Sequence, residues 1–205
     1  MTEVVRRSYN KNSMQIAASV TKKAKALFVK AMVSSNTYAS LTGRLGPHGL
    51  MGHLGIGRAD VRKVDGVIAY WADQIKVIAR PLSSHLHGGI TIQMMSTDFQ
   101  DAIRQPFAMQ ENTSKNSSAR RTLPWLQWML LQGASSTLVR DYHYDASSTE
   151  GRSGFGIMIG GGSWGVPRQP DGIAGTVHNN WVTHTLDQID DDLSRIIINE
   201  IIRTL

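Results

Sequence analysis

The stretch DVRKVDGVIAYWADQIKVIA, residues 60–79, carries Val61, Val64, Ile68, Trp71, Ile75 and Ile78 at alternating steps of three and four. At 3.6 residues per turn those steps return to one face, so the spacing predicts an amphipathic helix from Asp60 to Ala79. Pro81 and the Ser83-Ser-His-Leu-His-Gly-Gly89 run close it. Ile90, Ile92 and Met94 then alternate with Thr91 and Gln93, the period of two that a half-buried strand requires. A long helix giving way to a short alternating segment points to an α+β chain.

The flanks extend that reading. Upstream, Ile16, Val20, Ala24, Leu27 and Ala31 predict an amphipathic helix over about Ser13 to Ser35, with lysines on its other side and Ser34, Ser35 and Asn36 to end it. LTGRLGPHGLMGHLGIG, residues 41–57, holds six glycines and one proline and reads as a loop pinned by Leu41, Leu45, Leu50, Leu54 and Ile56. Downstream, Ser96-Thr97-Asp98 can cap a short helix through about Arg104. Met109 to Thr122 is polar and reads as an exposed loop. Leu123 to Leu131 reads as a short buried helix with Pro124 in its first turn and Gly133 as its stop. Thr137–Tyr144 is rich in β-formers, and Phe155, Ile157 and Ile159 alternate as a strand, after which Gly160–Gly162 are expected to turn. The last helix, about Asn180 to Arg203, places Val182, Leu186, Ile189, Leu193, Ile196 and Ile197 on one face. Its acids Asp187, Asp190, Asp191 and Asp192 precede Arg195 and Arg203, the order the helix dipole favours. The expected architecture is a small, mainly antiparallel sheet packed with long N-terminal, central and C-terminal helices.

At 205 residues the chain fits one domain, residues 1–205, with loops at about 41–57, 109–122 and 146–154 that order on assembly. It contains no cysteine, which excludes disulfides, thiolate metal sites and cysteine nucleophiles. Met1–Asn10 is basic and polar and lacks the apolar core of a secretory signal. No run approaches the roughly 20 apolar residues of a membrane span, so a soluble protein assembled in a cytoplasm is expected, with no membrane contact. The net charge of +6 invites a nucleic-acid partner, but the positive residues are scattered apart from a front group that a solvated helix face explains.

Residues that could carry chemistry do not form a recognisable pattern. His85 and His87 lie two apart, and His48 and His53 sit in the Gly-rich stretch, but no His-x-x-x-His with a neighbouring Glu occurs. Ser153 lies in Gly151-Arg-Ser-Gly154, which lacks the spacing of a nucleophile elbow. Gly160-Gly-Gly162 is not followed by Lys and Ser or Thr, so it is no phosphate loop. Gly52-His-Leu-Gly55-Ile-Gly57 follows a loop and so fails the dinucleotide pattern. The aspartates near the start of the last helix read as capping and solvated charge. No catalytic residue, cofactor or metal ligand is expected. The five tryptophans, Trp71, Trp125, Trp128, Trp164 and Trp181, are the candidate packing or interface anchors.

Four phrases in the second half recur in a fixed order: Leu123-Pro-Trp-Leu-Gln-Trp-Met-Leu-Leu-Gln-Gly133, Arg152-Ser-Gly-Phe-Gly-Ile-Met-Ile159, Trp164-Gly-Val-Pro167 and Ala174-Gly-Thr-Val-His-Asn-Asn-Trp-Val-Thr183. Together they resemble virion structural proteins of tailed bacteriophages, especially neck and tail-completion components of myophages. Leu50-Met-Gly-His-Leu-Gly-Ile56 looks like the Leu-Arg-Gly-Glu-Leu-Gly-Ile segment of that group, with Met51 and His53 in place of Arg and Glu. The resemblance implies a virion subunit that forms a six-fold ring at the head–tail junction or the top of the tail. Its implied partners are copies of itself, other neck and tail proteins, and DNA passing through the lumen without sequence-specific contact. Adaptor, stopper, tail-completion and tail-terminator levels stay open. Two other readings follow from the residues: a sequence-independent DNA-binding module, from the net charge and the lysine-bearing first helix, and a metal-assisted hydrolase using loop histidines.

Overall fold

The computed structural model describes residues 2–94, 99–112, 121–133 and 137–204. Among these the helices are α1 (Thr2–Ser34), α2 (Asn36–Leu41), α3 (Leu50–His53), α4 (Val61–Asp73), α5 (Gln100–Ile103), α6 (Trp125–Leu131) and α7 (Trp181–Thr204). The strands are β1 (Lys76–Arg80), β2 (Gly89–Gln93), β3 (Gln110–Asn112), β4 (Arg121–Leu123), β5 (Val139–Asp145) and β6 (Ile157–Trp164). The fold is α+β. The single small sheet expected from the sequence is instead three separate antiparallel pairs, β1–β2, β3–β4 and β5–β6.

α1 begins eleven residues before the expected start, since Glu3 pairs with Arg6 at 2.7 Å and with Arg7 at 2.8 Å, the helix-supporting spacings. Tyr9, Ser13, Ile16, Val20, Ala24, Phe28 and Met32 are its buried residues. Strides of four fall slightly ahead of the helical repeat, so this stripe winds around α1 and serves two clusters. Tyr9, Ile16 and Val20 pack with Val77, Ile90 and Ile92 of β1–β2 and with Ile196, Ile197 and Ile201 of α7. Ala24, Phe28 and Met32 enter the main core with α4, α6 and the start of α7.

Ser35 separates α1 from α2, where its hydroxyl accepts the Tyr38 backbone N–H at 3.1 Å. It also receives the Trp181 indole N–H at 2.8 Å, tying the end of α1 to the start of α7. Asn180 caps α7: its Oδ1 accepts the N–H groups of Val182 and Thr183, while the Thr183 hydroxyl accepts the N–H of Asn180 at 2.9 Å. At the other end of α7 the Thr204 carbonyl accepts the Ser8 hydroxyl, so α7 lies antiparallel along α1.

The 60–79 stretch needs correction. The helix stops at Asp73, and Lys76–Arg80 forms β1, paired with β2 in the register Ile78↔Thr91. Ile78 fits the helical seam by count, yet it stands 42 % exposed on the outer face, because the strand period turns its neighbours Val77 and Ala79 the other way. Gly160–Gly162 also differ from expectation: they continue β6 as a bulge, with Gly161 and Gly162 opposite Asp141 where the register shifts between Arg140 and Tyr142. The Gly-rich 41–57 stretch folds against its own chain in short helical turns, burying Leu41, Leu50, Leu54 and Ile56 and leaving Leu45 exposed. The Ser96-Thr97-Asp98 cap and most of the 109–122 loop lie outside the described residues.

Candidate assembly interface

Among the described residues the β5–β6 ribbon is the most exposed paired structure. Arg140–His143 on β5 and Gly160–Ser163 on β6 are all exposed, with Tyr142 at 49 %. Neither strand has a second neighbour among the described residues, so both outer edges are open to pairing, although the Gly161 carbonyl already meets His143 Nδ1 at 2.6 Å. A two-stranded ribbon is marginal on its own in water and gains from a third strand or a packed face.

The glycines sharpen this. Gly161 and Gly162 have φ of +95° and +87°, so the bulge itself requires them. Gly160 has no such φ, and a Cβ built on it would meet nothing within 4 Å. Its cross-strand partner Tyr142 does not fold over it. Neither its φ nor packing among the described residues requires glycine at 160. A glycine in a strand marks a bulge or a place where a ligand or another backbone comes close, and Gly160 borders the bulge and leaves its outer side bare.

The ribbon is held at both ends, at Tyr144, which pairs with Met158, and at Trp164, which pairs with Val139. The Tyr144 ring stacks on His53, with centroids 3.9 Å apart, and its hydroxyl donates to the Pro47 carbonyl at 2.8 Å. Trp164 Nε1–H donates to His53 Nδ1 at 3.3 Å, so the imidazole is clamped between two residues of the ribbon. Burial first, then the nearby His48, pushes His53 down to about 4, which keeps it neutral and leaves Nδ1 free to accept. The 146–154 connection is stapled as well. Arg152 donates to the carbonyls of Gly55, at 2.9 Å, and Glu111, and Arg58 Nε donates to the Ser153 carbonyl at 3.1 Å.

The other sequence candidates fall into place around this. Trp71, Trp125, Trp164 and Trp181 are buried and Trp128 is half-buried. Trp71 meets Trp181 edge-on at 6.0 Å, and Trp128 lies 5.5 Å from Trp164, so these anchors join α4 to α7 and α6 to the ribbon. Ser153 is 1 % exposed and its hydroxyl is used inside a turn, donating to the Phe155 carbonyl and accepting the Phe155 N–H. His85 and His87 are neighbours on the exposed β1–β2 connection. Among the described residues no three His, Asp or Glu side chains gather as a metal site would need. Asp187, Asp190 and Asp191 are exposed on α7. The exposed ribbon edge was not read from the sequence, although the Gly160–Gly162 run was its visible signal.

Compared with protein-family models, with curated proteins and with solved structures, the chain matches none. Among the described residues no helix is long and apolar enough to cross a membrane.

Proposed function

We propose that this chain is a structural subunit of a ring at the head–tail junction of a tailed bacteriophage or at the top of its tail, of the neck, tail-completion or tail-terminator type, and that it works by packing against copies of itself and other virion proteins around the DNA path. The observation that carries this is the β5–β6 ribbon, anchored on His53 at its two ends by Tyr144 and Trp164 and bare at Gly160 between them. Two fixed ends with an open-edged, glycine-smooth middle suit strand addition by a neighbouring polypeptide. The ordered phrases of the second half support the virion setting. The test is location: purified particles should contain the chain in ring-symmetric copies at the neck or upper tail, and particles without it overturn the reading.

A second reading is a sequence-independent DNA-binding module. It is favoured by Lys11, Lys22 and Lys30, which are exposed on α1 and make no ion pair among the described residues. It requires duplex affinity that falls steeply with salt, and negligible binding at low ionic strength dismisses it.

A further inference from the structure

We propose that α1 and α7 are the two sides of one joint between subunits, with the outward face of α7 of one copy lying on the outward face of α1 of the next. This deepens the ring reading and rests on it, since a ring needs two different surfaces on each copy to meet.

On α1, Val4, Lys11, Lys22 and Val29 recur at steps of seven, eleven and seven, each close to a whole number of turns, and all four are exposed. They form one line along the side away from the core. Around Val29 the surface dips into an open depression of about 540 Å³ walled by Ala26, Val33 and the stems of Lys25 and Lys30. Lys25 is paired with Asp73 at 3.0 Å, whereas Lys11, Lys22 and Lys30 have no carboxylate partner among the described residues. The face thus alternates along its length, with Lys11 and Lys22 between Val4 and the aliphatic depression around Val29.

α7 carries the complement. Asp187, Asp191, Ile198 and Ile202 recur at steps of four, seven and four on the side opposite Ile189, Leu193 and Glu200, which are buried. Ile198 is 54 % exposed and Ile202 is 65 % exposed. Asp192 is occupied by Arg195 at 3.2 Å, while Asp187, Asp190 and Asp191 have no cationic partner among the described residues. One helix therefore offers small aliphatic side chains with unpaired lysines, and the other offers isoleucines with unpaired aspartates. At 1.5 Å per residue α7, about 36 Å long, fits within α1, about 50 Å long.

A nucleic acid is the other candidate for the lysines. It would leave Val4, Ala26 and Val29 facing phosphates with nothing to offer them, and it would leave the α7 face unanswered. A second copy answers both. Because the two faces differ, the contact is head-to-tail, and its repetition closes a ring or extends a filament. Charge matching along the seam would set direction and exclude α1 on α1 or α7 on α7.

The absence of cysteine makes the test clean. Full-length Val29→Cys and Ile198→Cys chains, both changed at exposed positions, are mixed at high concentration and treated with a short bis-maleimide. The expected result is Val29-to-Ile198 heterodimers exceeding either homodimer by about tenfold, and a ladder from the chain carrying both changes. No cross-link, or homodimers in equal yield, overturns the joint. The charge variants K22E/K30E and D187K/D191K should each lose the cross-link, and mixing them should restore it, because each then carries the complement of the other. Failure of that rescue also overturns the joint. If K22E/K30E instead abolishes salt-sensitive binding to duplex DNA and leaves the cross-link intact, the α1 face belongs to nucleic acid and the proposal fails. Cross-linked products that remain open filaments in solution and in particles would uphold the joint and sink the ring reading. Rings in particles without the α1–α7 cross-link would do the reverse.

Discussion

The imidazole of His53 lies against the phenol ring of Tyr144, centroids 3.9 Å apart and planes inclined by 34°. That contact joins the Gly-rich 41–57 stretch to the β5–β6 ribbon. Together with the Trp164–His53 bond at the opposite end, it fixes the ribbon at both ends while the middle stands free, so ordering cost is met before binding and hydrogen-bonding edges are left open.

His53 makes this anchorage pH-sensitive. Its folded pKa of about 4 lies below the ordinary histidine value of 6.5, so the unfolded chain binds the proton more tightly. The stability this neutral ring contributes is complete above about pH 6.5 and is lost as pH falls toward 4. The expected loss is on the order of 1–2 kcal/mol, reduced from the full linkage value for the solvent that still reaches the ring. Urea denaturation at pH 7, 5 and 4 checks it. His53→Gln should flatten the decline between pH 6.5 and 4, and an unchanged decline would assign it to other groups.

Gly52 is required by the same contact. A Cβ at this position would overlap the Tyr144 hydroxyl and come within 3.3 Å of Phe155 Cβ. Gly52→Ala should therefore cost about 1–3 kcal/mol, as overpacking does. In a Tyr144→Phe background the added methyl no longer meets an oxygen, so the cost of Gly52→Ala should shrink. A double-mutant cycle by chemical denaturation measures this coupling.

Glu200 secures the far end of the helix pair. Its side chain is 2 % exposed and bonds Lys23 of α1 and Arg203 of its own helix. Hydrogen bonds from Lys23, then Ser19, with Arg203 adding, hold its carboxyl below the usual range. A lowered folded pKa gives stability that is present above the ordinary carboxyl value and lost as pH falls through the folded one. Glu200→Gln should cost about 1–2 kcal/mol at pH 7, and the difference from the parent should close in acid. Thermal melts at pH 7 and pH 3 read this directly.

The sequence located elements better than it located surfaces. α6, α7, β2 and the start of β6 stand close to where periodicity and capping place them, because each carries one unmistakable period and a stop signal. The overrun of α4 into β1 arose because Ile75 and Ile78 satisfy the helical count, while the alternation within Lys76–Arg80 gains meaning only once β2 and α1 are alongside. The extra turns of α1 were hidden by their polarity, with Tyr9 the buried residue among those described before Ser13. The Gly-rich stretch looked like loop because its helical turns are three to six residues long, too short for any period to register. The free ribbon edge was illegible for a simpler reason: whether a strand has a second neighbour is a property of the fold as a whole.

Gly160 separates folding from assembly. In the isolated chain Gly160→Val meets open space and replaces a poor strand former, so stability should hold or rise by up to about 1 kcal/mol. Assembly into particles or rings should fall, because the new side chain occupies the surface reserved for a neighbour. Melting temperature together with incorporation into particles distinguishes this from a variant that merely unfolds.

Hydrogen exchange along β5 and β6, compared between the free chain and the chain in assembled particles, addresses the open ribbon most directly. The outward amides of Arg140–His143 and Gly160–Ser163 should exchange rapidly in the free chain and slow by orders of magnitude once a neighbour pairs with them. Equal, rapid exchange in both states would mean that assembly leaves the ribbon bare, and the role given to it here would be wrong.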